Sequence, residues 1–338
     1  MIVGTLGVVC LFAVFAGWIV SLGPPPLGEG LAFSTLVVDR DGRLLRPYTT
    51  YQGRWRLPAT REDVDPRFFN LLFAYEDKRF LAHHGVDMLA LGRAFGQLVR
   101  NGHIVSGAST LSMQVARLLE PRSERSFMAK LRQMVRAVEI ERALSKDQVL
   151  ALYLSLAPYG GNLEGIRAAS LAYFGKEPRR LNLAESALLV ALPQSPEQRR
   201  PDRALAAAHD ARDRVLDRFA AAGAVPADEV AAAKREPVPD GRRPLPMLAP
   251  LSADAAVAAA PGRSLHRLTI DATLQKNLEE LARERARVLG ANLSVAILAV
   301  DHATGEVLAR VASADYFDAS RCGQVDMTQA LRSPGSTL

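Results

Sequence analysis

The sequence feature that most constrains the fold is a long stretch with helical periodicity, from about residue 66 to residue 223. Apolar residues recur there at three- and four-residue spacing, which predicts amphipathic helices rather than strands. The predicted helices cover 68–82, 86–100, 109–119, 127–144, 146–156 and 183–192, with one or two more in the alanine-rich residues 203–234. Residues 159–176, where glycines flank aromatic residues, are interpreted as a shaped loop packed on these helices. Residues 58–225 are therefore predicted to form a mainly α domain.

The N-terminus differs from the rest of the chain because residues 1–22 contain no charged side chain. A helix of this length would be about 33 Å long, which is enough to cross a bilayer. We therefore predict a single transmembrane anchor at 1–22, followed by a stiff break at Pro24–Pro26. A signal peptide and a buried core helix are the alternatives. The first usually has a basic start and the second usually has a polar face, and both features are missing here.

The segments that flank the helical domain predict the other parts of the chain. Residues 31–57 are interpreted as a short β-rich connector, with two strands around the Asp41-Gly42 turn. Residues 226–265 are interpreted as a linker because six prolines fall within residues 237–262. In 266–338, a helix at 272–288 and strands at 294–301 and 306–311 indicate the start of an α/β domain. These elements cannot close a core alone, so we expect the sequence to belong to a longer protein.

Composition excludes several classes of protein. Of the 338 residues, 49% are apolar and 23% are charged, which is typical of a globular protein and argues against a mainly disordered one. The net charge of +6 is a mild excess that identifies no anionic partner, and we expect no nucleic-acid partner. The six histidines lack zinc-ligand spacing, and the sequence has no Walker loop and no glycine-rich dinucleotide turn.

Three segments carry side chains suited to chemistry. Glu76 and Asp77 follow an apolar run, and apolar surroundings raise the pKa of a carboxyl and make it a usable base near neutral pH. Residues 106–117 place small and hydroxyl residues at a helix start, which suits a phosphate group. Residues 117–146 hold eight basic and four acidic side chains, a composition that suits a pyrophosphate. Taken alone, the three segments are explained as well by a charged turn, a helix cap and a solvated helix face.

The order and spacing of several motifs resemble the peptidoglycan glycosyltransferases of family 51. Their first motif, Glu-Asp-x-x-Phe-x-x-His-x-Gly, is matched by Glu76, Asp77, Phe80, His83 and Gly85. Their second motif is matched by Gly107, Ser109, Thr110, Gln114 and Arg117. Further matches are Ser145-Lys146, Tyr153-Leu154, residues 165–176, Leu183, Glu185, Ala187, Leu192-Pro193 and Ser195-Pro196. The resemblance extends over residues 76–196 and implies a lysozyme-like helical fold for this domain.

The C-terminal residues resemble the start of a penicillin-binding transpeptidase domain, at 268–275, 304–307 and 333–338. The whole chain therefore resembles a class A (bifunctional) penicillin-binding protein, and residues 113–119, 157–161 and 201–203 resemble the 1C subtype. In this family the transpeptidase nucleophile lies in a Ser-x-x-Lys motif, which places it at Ser336. Because the sequence ends before that lysine, we expect no transpeptidase activity and no stable acyl-enzyme with penicillin from these residues.

The resemblance implies a single-pass enzyme of the inner membrane that polymerises lipid II into glycan strands on the periplasmic side. Glu76 is then the general base that accepts the proton of the acceptor's 4-hydroxyl. The implied substrate-binding residues are Asp77, Phe80, His83, Ser109, Thr110, Gln114, Arg117, Lys130 and Glu141. No cofactor is required for certain, and a divalent cation (Mg or Mn) with the lipid pyrophosphate is an open option. The implied partners are lipid II, the growing glycan strand, the membrane and other cell-wall synthesis proteins.

Two positions depart from the family pattern, and the first is the usual double glutamine of the second motif, which is Met113-Gln114 here. The family usually has a second glutamate twelve residues before the Ser145-Lys146 pair, thought to assist the leaving pyrophosphate directly or through a metal. Here that position is Gln133, which can donate a hydrogen bond but brings no charge. This departure keeps open a non-catalytic membrane scaffold for cell-wall proteins. A lytic transglycosylase, which cleaves glycan with a single glutamate, is the other alternative, although glycan cleavage gives no role to a pyrophosphate-binding segment.

Overall fold

The computed structural model describes residues 2–103, 109–122, 124, 126–223, 225–290 and 292–331. The α-helices are α1 (Ile2–Ser21), α2 (Pro66–Glu76), α3 (Met88–Asn101), α4 (Leu111–Leu119), α5 (Phe127–Ala143), α6 (Lys146–Leu156), α7 (Ile166–Phe174), α8 (Leu183–Ala191), α9 (Leu205–Ala221), α10 (Ala227–Arg235), α11 (Pro250–Ala259) and α12 (Ala272–Leu289). The β-strands are β1 (Leu36–Val38), β2 (Leu44–Pro47), β3 (Trp55–Arg56), β4 (Leu163–Glu164), β5 (Leu265–Arg267), β6 (Ile297–Val300) and β7 (Val307–Val311). The prediction of a mainly α chain is confirmed.

The chain divides into two compact units. The first unit contains Met1–Leu31 and Pro58–Arg242, and the second contains Ala32–Leu57 and Arg243–Leu338. The segment predicted as a connector, 31–57, therefore belongs almost entirely with the C-terminal residues, because β1 pairs in parallel with β5. The segment predicted as a linker, 226–265, contains helices α10 and α11, and the boundary falls inside it.

Helix packing forms the core of the first unit. Helix α2 packs against α8 and α9, α4 packs against α5 and α6, and α10 packs against α9. The inward faces carry almost fully buried apolar side chains, among them Phe68, Leu111, Ile140, Leu154 and Leu188. Burying a side chain of this size stabilises the fold by about 1.5–3 kcal/mol. The apolar periodicity of the sequence therefore decides which face of each helix points inward.

Local sequence signals set the helix ends. The structure differs from the prediction in two places. Ser145 forms a capping box with Gln148 at the start of α6, as predicted for this serine. The helix predicted at 68–82 ends already at Glu76, because Asp77 leaves the helical conformation with φ −156° and ψ 81°. Residues 159–176, predicted as a shaped loop, contain helix α7. This helix is buried on almost every side and so lacks the polar face that periodicity detects.

Helix α1 occupies the segment that the sequence predicts as an anchor. In the described part of the chain, no helix is long and apolar enough to cross a membrane. The transmembrane assignment of residues 1–22 therefore stays a prediction.

A buried arginine of α5 binds the chain just after α1. The Arg136 side chain is 2% exposed, and its Nη2 and Nη1 donate to the carbonyl oxygens of Leu22 and Gly23 at 2.6 and 3.0 Å. Carboxylate oxygens of Glu120 and Glu139 lie 3.0 and 2.8 Å from the guanidinium and compensate its charge. The carbonyl groups at a helix end lack partners within the helix, and Arg136 binds the two that follow α1.

A small sheet organises the second unit. Strands β1 and β2 pair in antiparallel fashion around the predicted Asp41-Gly42 turn, and β5 lies on the other side of β1. Val37, Leu45 and Ile270 are central to the core around this sheet. Strands β6 and β7 form a separate antiparallel pair, which confirms the second predicted hairpin.

Candidate active site

Glu76 is the last residue of helix α2 and is half-buried. The side chain of Asp65 caps the start of this helix, and Pro66 occupies its first turn. The buried face of the helix, which includes Phe68 and Leu71, packs against α8 and α9. This packing places the Glu76 carboxylate at the rim of the apolar core.

Each oxygen of the Glu76 carboxylate accepts a hydrogen bond from a glutamine side chain. Nε2 of Gln114, on α4, lies 2.8 Å from Oε2, and Nε2 of Gln194, just after α8, lies 2.7 Å from Oε1. Both donors are neutral amides, so they hold the carboxylate without bringing a charge to it. We call Glu76, Gln114 and Gln194 the amide clamp.

Burial raises the pKa of the Glu76 carboxyl above its ordinary value. The two amide hydrogen bonds and the nearby positive charges of Arg218 and Arg117 oppose this rise in pKa without cancelling it. A carboxylate with a raised pKa binds a proton more tightly, and a pKa closer to the working pH suits a general base. Glu76 is therefore fitted to accept a proton from a hydroxyl group.

Polar side chains continue from the amide clamp along α4 and α5. Arg117 lies almost one helical turn after Gln114 and is exposed, and Nζ of Lys130 donates to Oγ of Ser109. Gln133 and Arg117 both line a small depression between these helices. We call this group the open cluster: Ser109, Gln114, Arg117, Lys130 and Gln133.

The open cluster is suited to an anion. Arg117 and Lys130 are cationic, and Arg122 and Arg132 line the same depression as Gln133. Burial lowers the pKa of Lys130, and the neighbouring charge of Arg117 lowers it further. Such a lysine gains most from an anionic partner, because charge-assisted hydrogen bonds to phosphate are among the strong ones in proteins.

The carboxylate next to Glu76 in the sequence lies in the core. Asp77 is 6% exposed and accepts a hydrogen bond from Nε2 of His83 at 3.0 Å. Oδ2 of Asp77 also accepts the backbone N–H of Leu111, the first residue of α4, at 3.0 Å. Asp77 therefore ties the end of α2 to the start of α4.

Glu141 extends these buried contacts to α5. Its carboxylate accepts from Oγ of Ser112 and from Nζ of Lys146, the latter at 2.7 Å, and lies 3.9 Å from Nδ1 of His83. Nζ of Lys146 also lies 4.4 Å from the centre of the Phe80 ring, a cation–π contact. We call this group the buried network: Asp77, Phe80, His83, Thr110 and Glu141.

Gly85 and Thr110 show how closely the loop after α2 packs. Gly85 has φ +90°, and a Cβ atom there would lie 2.5 Å from the carbonyl oxygen of Ala137 on α5. Its own carbonyl accepts a hydrogen bond from Oγ1 of Thr110 at 2.6 Å. Only glycine combines this backbone conformation with this close approach.

The structure thus separates the predicted site residues into two groups. Glu76 and the open cluster are half-buried or exposed, and they adjoin one another along α4 and α5. The buried network lies within the core, where its side chains connect the segments that carry the site. The resemblance implies that both groups contact substrate. Because the buried network lies in the core, its side chains are better suited to positioning Glu76 and the open cluster. Gly107 and Ser336 lie outside the described residues.

Sequence reasoning missed Gln194 and Arg218. Gln194 lies between Leu192-Pro193 and Ser195-Pro196, which match the last family motif on either side of it. A polar residue enclosed by a matching motif at a helix end was the available signal. Arg218 offers no such signal, because it is one of several basic residues on the alanine-rich helix α9.

The described residues contain no group of three or more His, Cys, Asp or Glu side chains that could hold a metal ion. Glu120, which lines the depression beside Gln133, is paired with Arg132 and Arg136 at 3.0 Å each. The residues in the described part of the chain therefore do not fit a resident metal at the position of the family's second acid.

A separate cavity of about 900 Å³ lies in the second unit. Tyr48, Trp55 and Arg283 contribute to its lining. It contains none of the predicted site residues, so volume alone does not identify the candidate active site.

Comparison with known proteins gives matches over most of the chain. The Transglycosylase family matches residues 41–220. Penicillin-binding protein 1C of Escherichia coli (strain K12) is 43% identical over 317 residues, which cover 94% of this chain and 41% of that protein. Penicillin-binding protein 1A of Pseudomonas aeruginosa is 35% identical over 202 residues, which cover 60% of this chain and 24% of that protein.

A solved structure is also similar. The 2.6 Å crystal structure of penicillin-binding protein 1A from Haemophilus influenzae is 18% identical and covers 76% of this chain and 30% of that one, with a TM-score of 0.35.

The chain spans less than half the length of the two relatives just named. The family match covers more than half of the chain and includes Glu76 and the open cluster. The predicted resemblance to class A penicillin-binding proteins of the 1C subtype is confirmed by similarity along nearly the whole chain. The chain therefore belongs to the transglycosylase family, which supplies the glycosyltransferase domain of class A penicillin-binding proteins.

Proposed function

We propose that this chain is a peptidoglycan glycosyltransferase that polymerises lipid II into glycan strands during cell-wall synthesis. The observation that carries the proposal is a half-buried carboxylate with a raised pKa, Glu76, near the cation Arg117, whose charge also acts on Lys130. The reaction needs a base for a hydroxyl group and cations for a pyrophosphate leaving group. Membership of the transglycosylase family supports the same activity.

In the proposed reaction, Glu76 accepts the proton of the acceptor sugar's 4-hydroxyl while that oxygen attacks the anomeric carbon of the donor. A new C–O bond forms, and the bond between the anomeric carbon and the lipid pyrophosphate breaks. The pyrophosphate leaves with the electron pair of the broken bond. A positioned base typically contributes about 10²–10⁴ to the rate of such a step.

The open cluster binds the leaving pyrophosphate in this proposal. Arg117 and Lys130 supply positive charge, and Ser109 supplies a hydroxyl that Lys130 already contacts. Gln133 adds a neutral amide donor, and the Glu120 carboxylate in the same depression is paired with Arg132 and Arg136. We propose that a divalent cation (Mg or Mn) enters as part of the substrate, bound to the pyrophosphate.

The buried network keeps the base in place in this proposal. Asp77 follows Glu76 directly, and its bond to the Leu111 N–H fixes the start of α4, the helix that carries Gln114. His83 and Glu141 extend the same support to α5, which carries Lys130 and Gln133. The first motif thus supplies both the base and the side chains that hold it in place.

We propose that the protein is anchored in the inner membrane by residues 1–22, with the rest of the chain on the periplasmic side. A lipid-linked substrate stays in the membrane, so its enzyme is best placed there too. Exposed apolar side chains also suit a lipid surface: Met88, Leu89 and Val99 on α3 are 67%, 67% and 71% exposed. Other cell-wall synthesis proteins are further proposed partners.

The test is incubation of the full 338-residue chain with labelled lipid II, with E76Q as the matched control. Glycan polymer from the wild type but not from E76Q supports the proposal. Cleavage of preformed glycan would instead indicate a lytic transglycosylase, and neither activity would indicate a membrane scaffold.

A further inference from the structure

Gln194 occupies the end of a short 3-10 helix, Leu192–Gln194, that continues directly from α8. Leu192 and Pro193 are buried and hold this turn against the core. Gln194 itself is exposed, so its side chain reaches the Glu76 carboxylate from the solvent side. Gln114 reaches the other carboxylate oxygen from α4.

The orientation of the Gln194 amide is fixed by two further contacts. Nη1 of Arg199 donates to its Oε1 at 3.1 Å, and the hydroxyl of Tyr75 donates to the same oxygen at 3.4 Å. Nη1 of Arg199 is itself held by the carbonyl oxygen of Ala191 at 2.7 Å. A flipped amide would turn its NH₂ group toward the guanidinium and its oxygen toward the Glu76 carboxylate. The contacts therefore favour one orientation, in which the NH₂ group faces Glu76.

We propose that Gln194, oriented by Arg199, is a positioning residue that holds the Glu76 carboxylate from the side opposite Gln114. The inference rests on the proposed function, because it gives Glu76 the role of base. With one amide on each oxygen, rotation of the carboxylate is blocked and both oxygens keep free lone pairs. One of these lone pairs can then accept the proton of the acceptor hydroxyl.

The charged and titratable groups around Glu76 come from several helices. Arg117 lies on α4 and Arg218 on α9, and both act on Glu76 through their positive charge. Tyr153, on α6, is buried, which keeps its hydroxyl neutral at ordinary pH. Gln194 is a neutral donor to the charged form of Glu76. Removing it should therefore raise the pKa of this carboxyl, whereas the other groups stay in place.

The experiment compares Q194L, which has a similar volume and no amide, with the wild-type chain and with Q52L. Gln52 is exposed and lies in the second unit, so Q52L controls for the exchange itself. Infrared titration follows the carboxyl band that is lost in E76Q, and polymerisation of lipid II is measured in parallel. We expect the titration midpoint of Glu76 to move to higher pH in Q194L and kcat to fall about 2- to 10-fold, with little change in KM.

R199M provides a second variant, which leaves Gln194 and its Tyr75 contact in place but removes the guanidinium that orients its amide. The midpoint should move in the same direction as in Q194L and by less. If Q194L does not fold, Q194S replaces it, because serine is too short to reach the carboxylate.

An unchanged midpoint in a folded Q194 variant overturns the inference, whatever the activity. A wild-type chain that makes no polymer, while the midpoint still moves in Q194L, overturns the proposed function and leaves the contact with Glu76 standing. Wild-type polymerisation with an unmoved midpoint overturns the role of Gln194 and leaves the proposed function standing.

Discussion

Glu76 and Asp77 are neighbours in the sequence, yet their carboxylates lie in different surroundings. Glu76 ends helix α2 and accepts hydrogen bonds from two neutral amides at the rim of the core. Asp77 leaves the helix, turns inward and accepts hydrogen bonds from His83 and from the Leu111 N–H. A pair of adjacent acids can therefore combine one reactive carboxylate and one structural carboxylate.

The difference between the two carboxylates comes from their partners. The amide clamp leaves Glu76 able to take up a proton, because neutral donors oppose its protonation only in part. Asp77 accepts hydrogen bonds from groups of two other segments, so its carboxylate connects the end of α2 with the start of α4. In the proposed mechanism the first acid is the base, and the second joins helices α2 and α4.

The largest effect is expected from E76Q, which removes the base while keeping the shape of the side chain. We predict a loss of about 10²–10⁴ in the rate of lipid II polymerisation. Thermal unfolding of E76Q should still show one folded state close to the wild type. A variant that keeps more than about a tenth of wild-type turnover would show that Glu76 is not the base.

D77A should act on stability instead. It leaves two buried donors, the ring N–H of His83 and the backbone N–H of Leu111, without an acceptor, at about 1–3 kcal/mol each. Denaturant unfolding measures this loss, and K78A, at the exposed next residue, is the matched control. If D77A unfolds like the wild type but does not polymerise lipid II, Asp77 takes part in the reaction and the contrast drawn with Glu76 is wrong.

Smaller effects are expected in the open cluster. R117A and K130A should each weaken binding of a pyrophosphate lipid by about 1.5–3 kcal/mol, because each removes a charge-assisted hydrogen bond. Calorimetry with a phosphoglycolipid inhibitor measures the affinity without turnover. R180A, an exposed arginine elsewhere in the first unit, should bind as tightly as the wild type. Equal affinities in all four proteins would make the open cluster an ordinary solvated surface.

The smallest effect concerns pH. Because burial raises the pKa of Glu76 above its ordinary value of 4.5, the polymerisation rate should rise with pH through a midpoint above that value. Stability follows the opposite course. The folded state prefers the protonated carboxyl, so the contribution of Glu76 is lost as pH rises from 4.5 through the raised pKa. The melting temperature of E76Q relative to the wild type should therefore increase over this range, and a constant difference would contradict a raised pKa.

Local signals in the sequence predicted most helices of the first unit. Helix α6 has the predicted bounds, 146–156, because its start is marked by the Ser145 cap and its faces by clear periodicity. The end of α2 was predicted six residues too late, because the apolar pattern continues to Phe80, beyond the last residue of the helix. The partners that draw Asp77 inward lie on other segments, which a helical pattern cannot show.

The candidate site was predicted as a set of residues but not as an arrangement. Motif positions identified Glu76, Gln114 and Lys130, whereas burial separates them from His83 and Glu141. This separation depends on how α2, α4 and α5 pack, and the sequence of the motif does not predict that packing. The parallel pairing of β1 with β5 joins residues more than 200 positions apart, so the make-up of the second unit was equally hidden.

Arg136 has a practical consequence for producing the protein. A shortened chain that begins after residue 30 would be a natural choice for expression, because it lacks the apolar N-terminus. It would also remove the Leu22 and Gly23 carbonyl groups that Arg136 binds, and leave a buried guanidinium with only its two glutamates. Hydrogen bonds from a charged group are worth about 1.5–3 kcal/mol each. A shortened chain that begins at Leu22 omits helix α1 and keeps both carbonyl groups, so we expect it to be more stable than one that begins after residue 30.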